Sequence, residues 1–352
     1  MTLQQNKEVG EFARDVAICL TSEYKRLNPK YLYDHVGSQL FEQICLQPEY
    51  YLTRTEASLL ERYASTIISL VGRDIKIIEL GSGSSLKTAI LLRHLSSQKR
   101  KILYFPIDIS SSILTASTKR LKSQFPHADI IEIRSDYDTG IDLAAAKCMA
   151  IGDDKQEEDE DEKKNKKAKN NTKKSYDAAC SQYSKLVLFL GSSIGNFEPA
   201  AARSFLRSIR QKLQTNDFLL VGFDLQKDEY VLNTAYNDKA GITAKFNLNL
   251  LARINRELGG NFELEKFNHY AFYNRDQYRI EMHLVSKTDQ QVYIDTLGRS
   301  FPLEKGDSIH TENSYKYSLD QISTLVEDSG FEIKKDFTDE KRWFNVALLL
   351  PA

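Results

Sequence analysis

Gly81-Ser82-Gly83 stands between a β-branched run, residues 74–80 (DIKIIEL), and a helix-forming stretch, residues 86–95. Glycine permits a tight turn and lets a ligand approach the backbone closely. Asp108 follows the next apolar run, residues 101–107 (KILYFPI), where a carboxylate can accept hydrogen bonds from both hydroxyls of a ribose. Asp136-Tyr137 follows a third run, residues 128–134. An aspartate there can bond an adenine amino group, and the tyrosine can stack on its ring. Taken alone, the glycines equally fit an ordinary strand-to-helix turn. Together the three signals describe an adenosine-type site. Ser85 replaces the third glycine of the dinucleotide fingerprint. A pyrophosphate would favour that glycine or a basic neighbour, so the acidic ELGSGSS turn better suits a phosphate-free adenosine such as S-adenosylmethionine.

A second set of polar residues lies outside that turn. GSSIGNF, residues 191–197, follows a fourth apolar run (185–190) directly. It puts Asn196 at the carboxyl edge of a sheet, where ligands sit in open α/β folds. Other unusual strings are PEYYLTR (48–54), YNDKAGITAKFNLNL (236–250), RIEMHL (279–284) and HTENSYKY (310–317). By residue type alone these stay open. Asn196 also suits a plain turn, Lys87 an exposed helix face, and Glu312 a solvated one. Met282 alternates with Ile280 and Leu284, which equally fits core packing, and one of Tyr50 and Tyr51 can face a core. His283 and His310 lack the spacing of a zinc helix. Cys19, Cys45, Cys148 and Cys180 form no CxxC pair, so no metal is expected and the thiols read as free and buried.

The elements that must position these groups read as helices over 7–72, including 56–69 with a stop at Gly72. Strands and helices then alternate: strands at 74–80, 101–107, 128–134, 185–190 and 217–223, helices at 86–95, 111–124 and 199–213. That alternation argues for a parallel sheet with helices on both faces. Strand-like runs follow at 277–285, 292–296 and 344–350. Residues 153–174 are acidic, then lysine-rich, with no aromatic or large apolar residue, and read as a disordered surface insertion. A hydrophobic fraction of 41% supports a substantial core, and a net charge of -1 gives no electrostatic reason to expect nucleic acid or an anionic membrane. The longest apolar runs are strand-length, the N-terminus lacks an apolar signal core, and no heptad appears. A soluble, cytoplasmic monomer is the expectation.

From about Tyr31 to the C-terminus, apart from the charged insertion, the chain resembles the histidine-specific, S-adenosylmethionine-dependent N-α-methyltransferases of ergothioneine biosynthesis. YDHVGSQLFEQI, PEYYLTRTE, ELGSGSSLKT, GSSIGNF, AGITAKFNLNLLARINRELGG and HTENSYKY carry the resemblance. It implies a doubly wound, Rossmann-like α/β methyltransferase domain with a smaller α+β substrate lobe and an active site in the cleft between them. The segments expected are 1–60 (helices joining the lobe), 61–230 (cofactor domain), 231–340 (lobe) and 341–352 (a strand returning to the core sheet). It also implies that Gly81, Ser82, Gly83, Lys87, Asp108, Asp136 and Tyr137 contact the cofactor. Asn196 and Tyr236 would hold the carboxylate of L-histidine, with Tyr33 nearby. Glu312 and Ser314 would read its imidazole, Tyr50 assisting and Met282 packing beside the ring. Asn196, Tyr236 and Tyr33 would be the catalytic set, Tyr33 or solvent taking the amine proton.

Such a transfer displaces a methyl from a sulfonium onto an uncharged amine, so it needs alignment and dryness rather than a nucleophile triad. Asn and Tyr suit a carboxylate because both donate without a fixed charge. Two other functions compete. One is N-methylation of a prenylated tryptophan, which should need an apolar residue in place of Glu312 and more room near Met282. The other is a non-catalytic module that binds S-adenosylmethionine or an amino acid.

Overall fold

The computed structural model describes residues 3–72, 75–158 and 184–352. The chain divides into two compact units. The first holds Met1–Arg54, Ser193–Glu198 and Asp224–Ser318; the second holds Thr55–Ser192, Pro199–Phe223 and Leu319–Ala352.

The N-terminal stretch is not helical throughout. After α1 (Leu3–Thr21) and a short strand β1 (Lys25–Arg26) comes α2 (His35–Cys45). α1 ends at Thr21, where the Thr21 and Ser22 hydroxyls donate back to Ala17 O and Ile18 O. Asn28 then caps a 3-10 turn, Pro29–Leu32, by accepting from Lys30 N through its side chain, and Pro29 opens that turn. Asp34 then caps α2 by accepting from Gly37 N at 2.7 Å. The next helix, α3 (Tyr51–Val71), starts earlier than the expected residue 56.

The alternation that follows is the one the sequence predicts. It runs β2 (Ile75–Leu80), α4 (Leu86–Ser97), β3 (Ile102–Asp108), α5 (Ser111–Gln124), β4 (Ala128–Ile130), β5 (Ile133–Arg134), α6 (Tyr137–Glu158), β6 (Ser184–Phe189), α7 (Pro199–Lys212) and β7 (Phe218–Asp224). The strands order as β4-β3-β2-β6-β7, with β5 also on β3. The registers joining them are parallel. β2 is buried at all six positions, as a central parallel strand covered on both faces must be. One half of the sheet builds outward from β2 and the other from β6. The order therefore reverses at the carboxyl ends of these two strands, where open α/β sheets bind ligands. Two details differ from expectation. Residues 128–134 form two short strands rather than one. Residues 153–158 continue α6, since Lys155, Gln156, Glu157 and Glu158 are good helix formers; the rest of the expected disordered insertion lies outside the described residues, as does Cys180.

The first unit resumes with α8 (Glu229–Ala235) and α9 (Ile242–Leu258). Five strands follow: β8 (Phe267–Asn274), β9 (Arg279–Ser286), β10 (Gln290–Ile294), β11 (Arg299–Leu303) and β12 (Ser308–Tyr315). β8, β9 and β12 form an antiparallel sheet, extended by β1 parallel to β12; β10 and β11 pair separately. This unit is α+β.

The chain ends in α10 (Leu319–Asp328), β13 (Phe331–Thr338) and β14 (Phe344–Pro351), which extend the second unit's sheet as β7-β14-β13. Residues 319–340 therefore belong with the core sheet, where the sequence reading assigns them to the substrate lobe. β13 pairs with β14 along its whole length, so the two strands cannot be divided. Among the described residues no helix is long and apolar enough to cross a membrane. Cys19, Cys45 and Cys148 are in no disulfide; Cys19 and Cys148 are buried, while Cys45 is partly exposed, not buried as expected.

Candidate active site

In the second unit the glycine turn is tied to its neighbours by backbone hydrogen bonds. Gly81 N and Ser82 N both donate to Ile107 O, at 2.9 and 3.0 Å. Gly83 N donates to Asp108 Oδ2 at 2.8 Å, and Ser110 N donates to Oδ1 at 2.9 Å. Burial pushes the Asp108 carboxyl up, against these backbone donors. Each oxygen keeps a lone pair for a ribose hydroxyl. Gly81 has a φ of +69°, and an added Cβ would stand 3.0 Å from Tyr137 Oη, so glycine is what lets Tyr137 come over the turn. The Tyr137 ring rests edge-on against Phe189, centroids 5.4 Å apart. Asp136 Oδ1 accepts from Thr139 N at 2.8 Å, at the start of α6. Ser82 Oγ is buried with no protein partner, a donor that a bound ligand can satisfy. An adenosine carrying an uncharged ribose and a sulfonium side chain fits these groups.

Lys87 is not a solvated helix residue. Its ammonium lies 2.5 Å from Oε2 of Glu56, which is fully buried, and both Glu56 oxygens accept from Gly191 N at 2.9 Å. A Cβ at position 222 would meet Glu56 Oε1 at 2.1 Å, so Gly222 makes room for that carboxylate. Behind the turn, Glu79 accepts from Thr88 Oγ1 at 2.6 Å and from Tyr104 Oη, and burial pushes its carboxyl up to about 7. Sequence reasoning missed Glu56, although it stands in PEYYLTRTE, and it missed the role of Tyr104. A lone carboxylate carries no pattern until its partner is known.

In the first unit a small pocket is lined by Phe41, Ile44, Tyr50, Tyr236, Thr243, Phe246, Met282 and Glu312. Of the residues expected around histidine, Tyr50, Tyr236, Met282 and Glu312 meet here. Asp34 fixes α2, and with it Phe41 and Ile44, by accepting from Asn249 Nδ2 of α9 at 2.8 Å. Asp238 accepts from Ile242 N and Thr243 N and so anchors the start of α9, which carries Thr243 and Phe246. Tyr33 packs edge-on against Phe41 and Phe246, centroids 5.5 and 5.4 Å away. Asn196 closes a short 3-10 turn, Ser193–Asn196, that packs on β12.

Glu312 reaches the pocket through an irregularity in β12. His310 pairs with His283, and Glu312 with Met282, so Thr311 is an extra residue. Regular alternation would put Glu312 on the face of His310. The bulge instead puts it on the face of Met282 and Ser314. Thr311 Oγ1 donates to Met282 O at 3.0 Å, and His310 Nε2 bonds Glu312 O at 3.1 Å, both across the bulge. Burial pulls His310 down to about 4, so the ring is neutral and Nε2 carries the hydrogen. Glu312 is 8% exposed and its Oε2 has no protein partner. Burial pushes its carboxyl up to about 7, with the Lys316 ammonium pulling the other way.

Beside Glu312 lies a charge cluster that sequence reasoning did not find. Lys316, fully buried, donates to Ser314 Oγ at 2.7 Å, to Tyr236 Oη at 3.1 Å and to Asp224 Oδ2 at 2.8 Å. Lys227 lies 2.6 Å from Asp224 Oδ1, and Tyr51 Oη donates to the same carboxylate. Burial alone would raise Asp224; the two ammoniums outweigh it and hold it below the usual range. Tyr50 thus faces the pocket while Tyr51 serves this cluster. Tyr236 Oη also donates to Ser314 Oγ at 2.7 Å. With two donors filling its lone pairs, Ser314 has its own hydrogen left to give. An ammonium, that of Lys316, stands directly behind Tyr236. His269 holds the Tyr236 backbone. Asn247 Nδ2 fills its Nδ1, so Nε2 carries the hydrogen donated to Tyr236 O at 2.9 Å.

Among the described residues, Glu281, His283 and His310 are the one group whose ligand atoms lie within 4.8 Å of one another. The two rings stack with centroids 4.7 Å apart and planes 16° apart, so an ion in the plane of one ring lies well out of the plane of the other. Their nitrogens are engaged by Ser308, Glu281, Tyr24 and Glu312 O. The cluster reads as a hydrogen-bond network.

By class the protein is an S-adenosylmethionine-dependent methyltransferase. The family model described as "Histidine-specific methyltransferase, SAM-dependent" matches residues 12–351, and the chain belongs to that family. It is 35% identical to a histidine N-alpha-methyltransferase of Mycolicibacterium smegmatis over 335 residues, covering 95% of this chain and 93% of that one. It is 33% identical to one from Mycobacterium tuberculosis over 347 residues, covering 97% and 96%. Similarity to Ergothioneine biosynthesis protein 1 of Neurospora crassa is 29% over 321 residues, 87% of this chain and 31% of that longer protein. A 4-dimethylallyltryptophan N-methyltransferase of Claviceps purpurea is more distant at 23%.

Proposed function

We propose that the protein transfers methyl groups from S-adenosylmethionine to the α-amino nitrogen of L-histidine, three in succession, to give hercynine for ergothioneine biosynthesis. The observation that carries this reading is the orphaned Glu312 Oε2 in a pocket lined otherwise mostly by aromatic and apolar side chains. A neutral imidazole offers one N–H and one lone pair. Glu312 accepts the first and the Ser314 hydroxyl donates to the second. Tyr50, Tyr236, Phe41 and Met282 supply apolar and sulfur contacts for the ring. An indole has an N–H but no ring lone pair for Ser314, which disfavours the tryptophan alternative. A site built on buried polar partners rejects ligands that leave them unpaired.

Asn196 and Tyr236 hold the carboxylate, the Tyr236 hydroxyl turning its one hydrogen from Ser314 to the ligand, so the amino acid is pinned at both ends and its amine is fixed in direction. S-adenosylmethionine, when bound at Gly81, Ser82, Gly83, Lys87, Asp108, Asp136 and Tyr137, supplies an electrophilic methyl on a sulfonium. The histidine nitrogen gives its lone pair to that carbon as the carbon–sulfur bond breaks, and a neutral thioether leaves. The amine must lose a proton before each transfer, to Tyr33 or to solvent. A free amino acid as substrate, near-neutral net charge and free thiols support a cytoplasmic monomer with no metal, nucleic-acid or membrane partner.

The test is incubation with S-adenosylmethionine and a panel of free amino acids, read by mass. Histidine should gain three methyl groups and tryptophan none, and Glu312→Ala should abolish the preference. Methylation of another amino acid with histidine untouched would overturn the assignment.

A further inference from the structure

Glu198, two residues past Asn196, is gripped by four side chains from three strands of the first unit's sheet. Its Oε1 accepts from Arg26 Nη1 of β1 at 2.7 Å and from Asn313 Nδ2 of β12 at 2.9 Å. Its Oε2 accepts from Tyr315 Oη of β12 and from Arg279 Nη1 of β9 at 3.2 Å. All four lone pairs of the carboxylate are therefore used. Burial alone would raise the Glu198 carboxyl; the Tyr315 hydroxyl and the two guanidiniums outweigh it and hold it below the usual range. Ion pairs between exposed side chains contribute little. This carboxylate is 39% exposed, but Arg279 is only 13% exposed and Asn313 and Tyr315 are buried, so three of its four partners are fixed in place. Arg279 is held further by Glu281 at 2.8 Å and by its bond to Tyr315 Oη at 2.6 Å. The segment that Glu198 ends contains Ser193–Asn196, a single turn of 3-10 helix packed on β12. One such turn has poor hydrogen-bond geometry and needs an outside anchor to keep its shape. Asn313 and Tyr315 alternate along β12 with Glu312 and Ser314, so the grip on Glu198 and the pair assigned to the imidazole occupy opposite faces of one strand.

We infer that Glu198 is a positioning residue for the substrate's carboxylate: it fastens the Asn196 turn to β12, so that one strand sets the spacing between the group that holds the carboxylate and the groups that read the ring. The inference rests on the proposed histidine reading, in which Asn196 meets the carboxylate, and deepens it. Glu312 and Ser314 place the ring from one face of β12. Asn313 and Tyr315 place Asn196 from the other, through Glu198. The register of β12 on β9 runs unbroken from Glu312 to Tyr315, so the two sets keep a constant offset. The substrate class follows: amino acids with a free carboxylate at histidine's own distance from the ring, over alcohols or esters of the same side chain.

The experiment compares binding of L-histidine and L-histidinol, in which an uncharged CH2OH replaces the carboxylate, by calorimetry. The proteins are the unaltered enzyme, Glu198→Gln, Tyr315→Phe, Asn196→Ala and the double variant Glu198→Gln with Asn196→Ala, each checked for unaltered S-adenosylmethionine binding. The unaltered enzyme should prefer histidine, and Asn196→Ala should remove much of that preference. Glu198→Gln keeps the shape but turns one acceptor oxygen into a donor. It should weaken histidine roughly tenfold and leave histidinol nearly unchanged, a misplacement of about 1 Å being enough for such a loss. In the Asn196→Ala background the same substitution should cost histidine almost nothing, because the residue it positions is gone. Tyr315→Phe takes one hydrogen from the grip and should erode the preference in the same direction; it decides the question if Glu198→Gln does not fold. Equal weakening of both ligands, an unchanged preference, or fully additive losses in the double variant would overturn the inference and mark Glu198 as an anchor of the fold alone. An unaltered enzyme that binds both ligands equally, or an Asn196→Ala variant that keeps the preference, would remove the Asn196 contact and the inference with it. Failure of the unaltered enzyme to bind histidine at all would instead overturn the proposed function.

Discussion

Replacing Glu312 by glutamine should make the free protein more stable. Burial carries the Glu312 carboxyl from 4.5 to about 7. At about 1.4 kcal/mol per tenfold change, ionising it in the folded protein costs about 3 kcal/mol more than in the unfolded chain. A carboxyl with a raised folded value favours the fold while protonated, and that advantage disappears as pH rises through the folded value. Glu312→Gln should therefore match the unaltered protein below about 4.5, pull ahead between there and about 7, and hold a constant lead above it. The lead should be about 2–3 kcal/mol, at the lower end because the amide is also a buried polar group. Denaturant midpoints without ligand, at about pH 4 and about pH 8, measure it. A variant equally stable or less stable at the higher pH would refute the reasoning, because the carboxylate would then have a partner or water of its own. A lead independent of pH would refute it as well.

Other consequences are measurable. Histidine affinity should fall as pH drops through about 7, because a protonated Glu312 accepts the imidazole N–H without the help of a charge, and Glu312→Gln should remove that step. Asp108→Ala should weaken S-adenosylmethionine binding in calorimetry while histidine affinity holds, since its carboxylate serves the glycine turn. Thr311→Val keeps the shape but loses the bond to Met282 O. It should cost about 1 kcal/mol in thermal or denaturant unfolding and weaken histidine binding more than cofactor binding.

The cofactor unit was largely legible in the sequence because its strands are short β-branched runs punctuated by glycine and aspartate. The strand registers then add the reversal at β2 and β6. The lobe was harder to read. β8 (FNHYAFYN) mixes aromatic and polar residues and has only two buried positions, so it lacks the apolar alternation that marks a strand. The extra residue at Thr311 was invisible, since a bulge is defined by its partner strand. With regular alternation, HTENSYKY would put His310 and Glu312 on one face, and the structure separates them. Lys316 was in view within the same string. Its meaning depends on Asp224 and Lys227, nearly a hundred residues earlier, and no local spacing links them. His269 was unmarked for the same reason: it acts through the backbone of Tyr236.

The account stands on histidine lying ring-first in the first unit's pocket, and a crystal structure of the protein soaked with L-histidine tests that most directly. The imidazole should lie among Phe41, Tyr50, Tyr236 and Met282 with a ring N–H on Glu312 Oε2 and its carboxylate toward Tyr236. Histidine bound elsewhere, or with its ring away from Glu312, would contradict it.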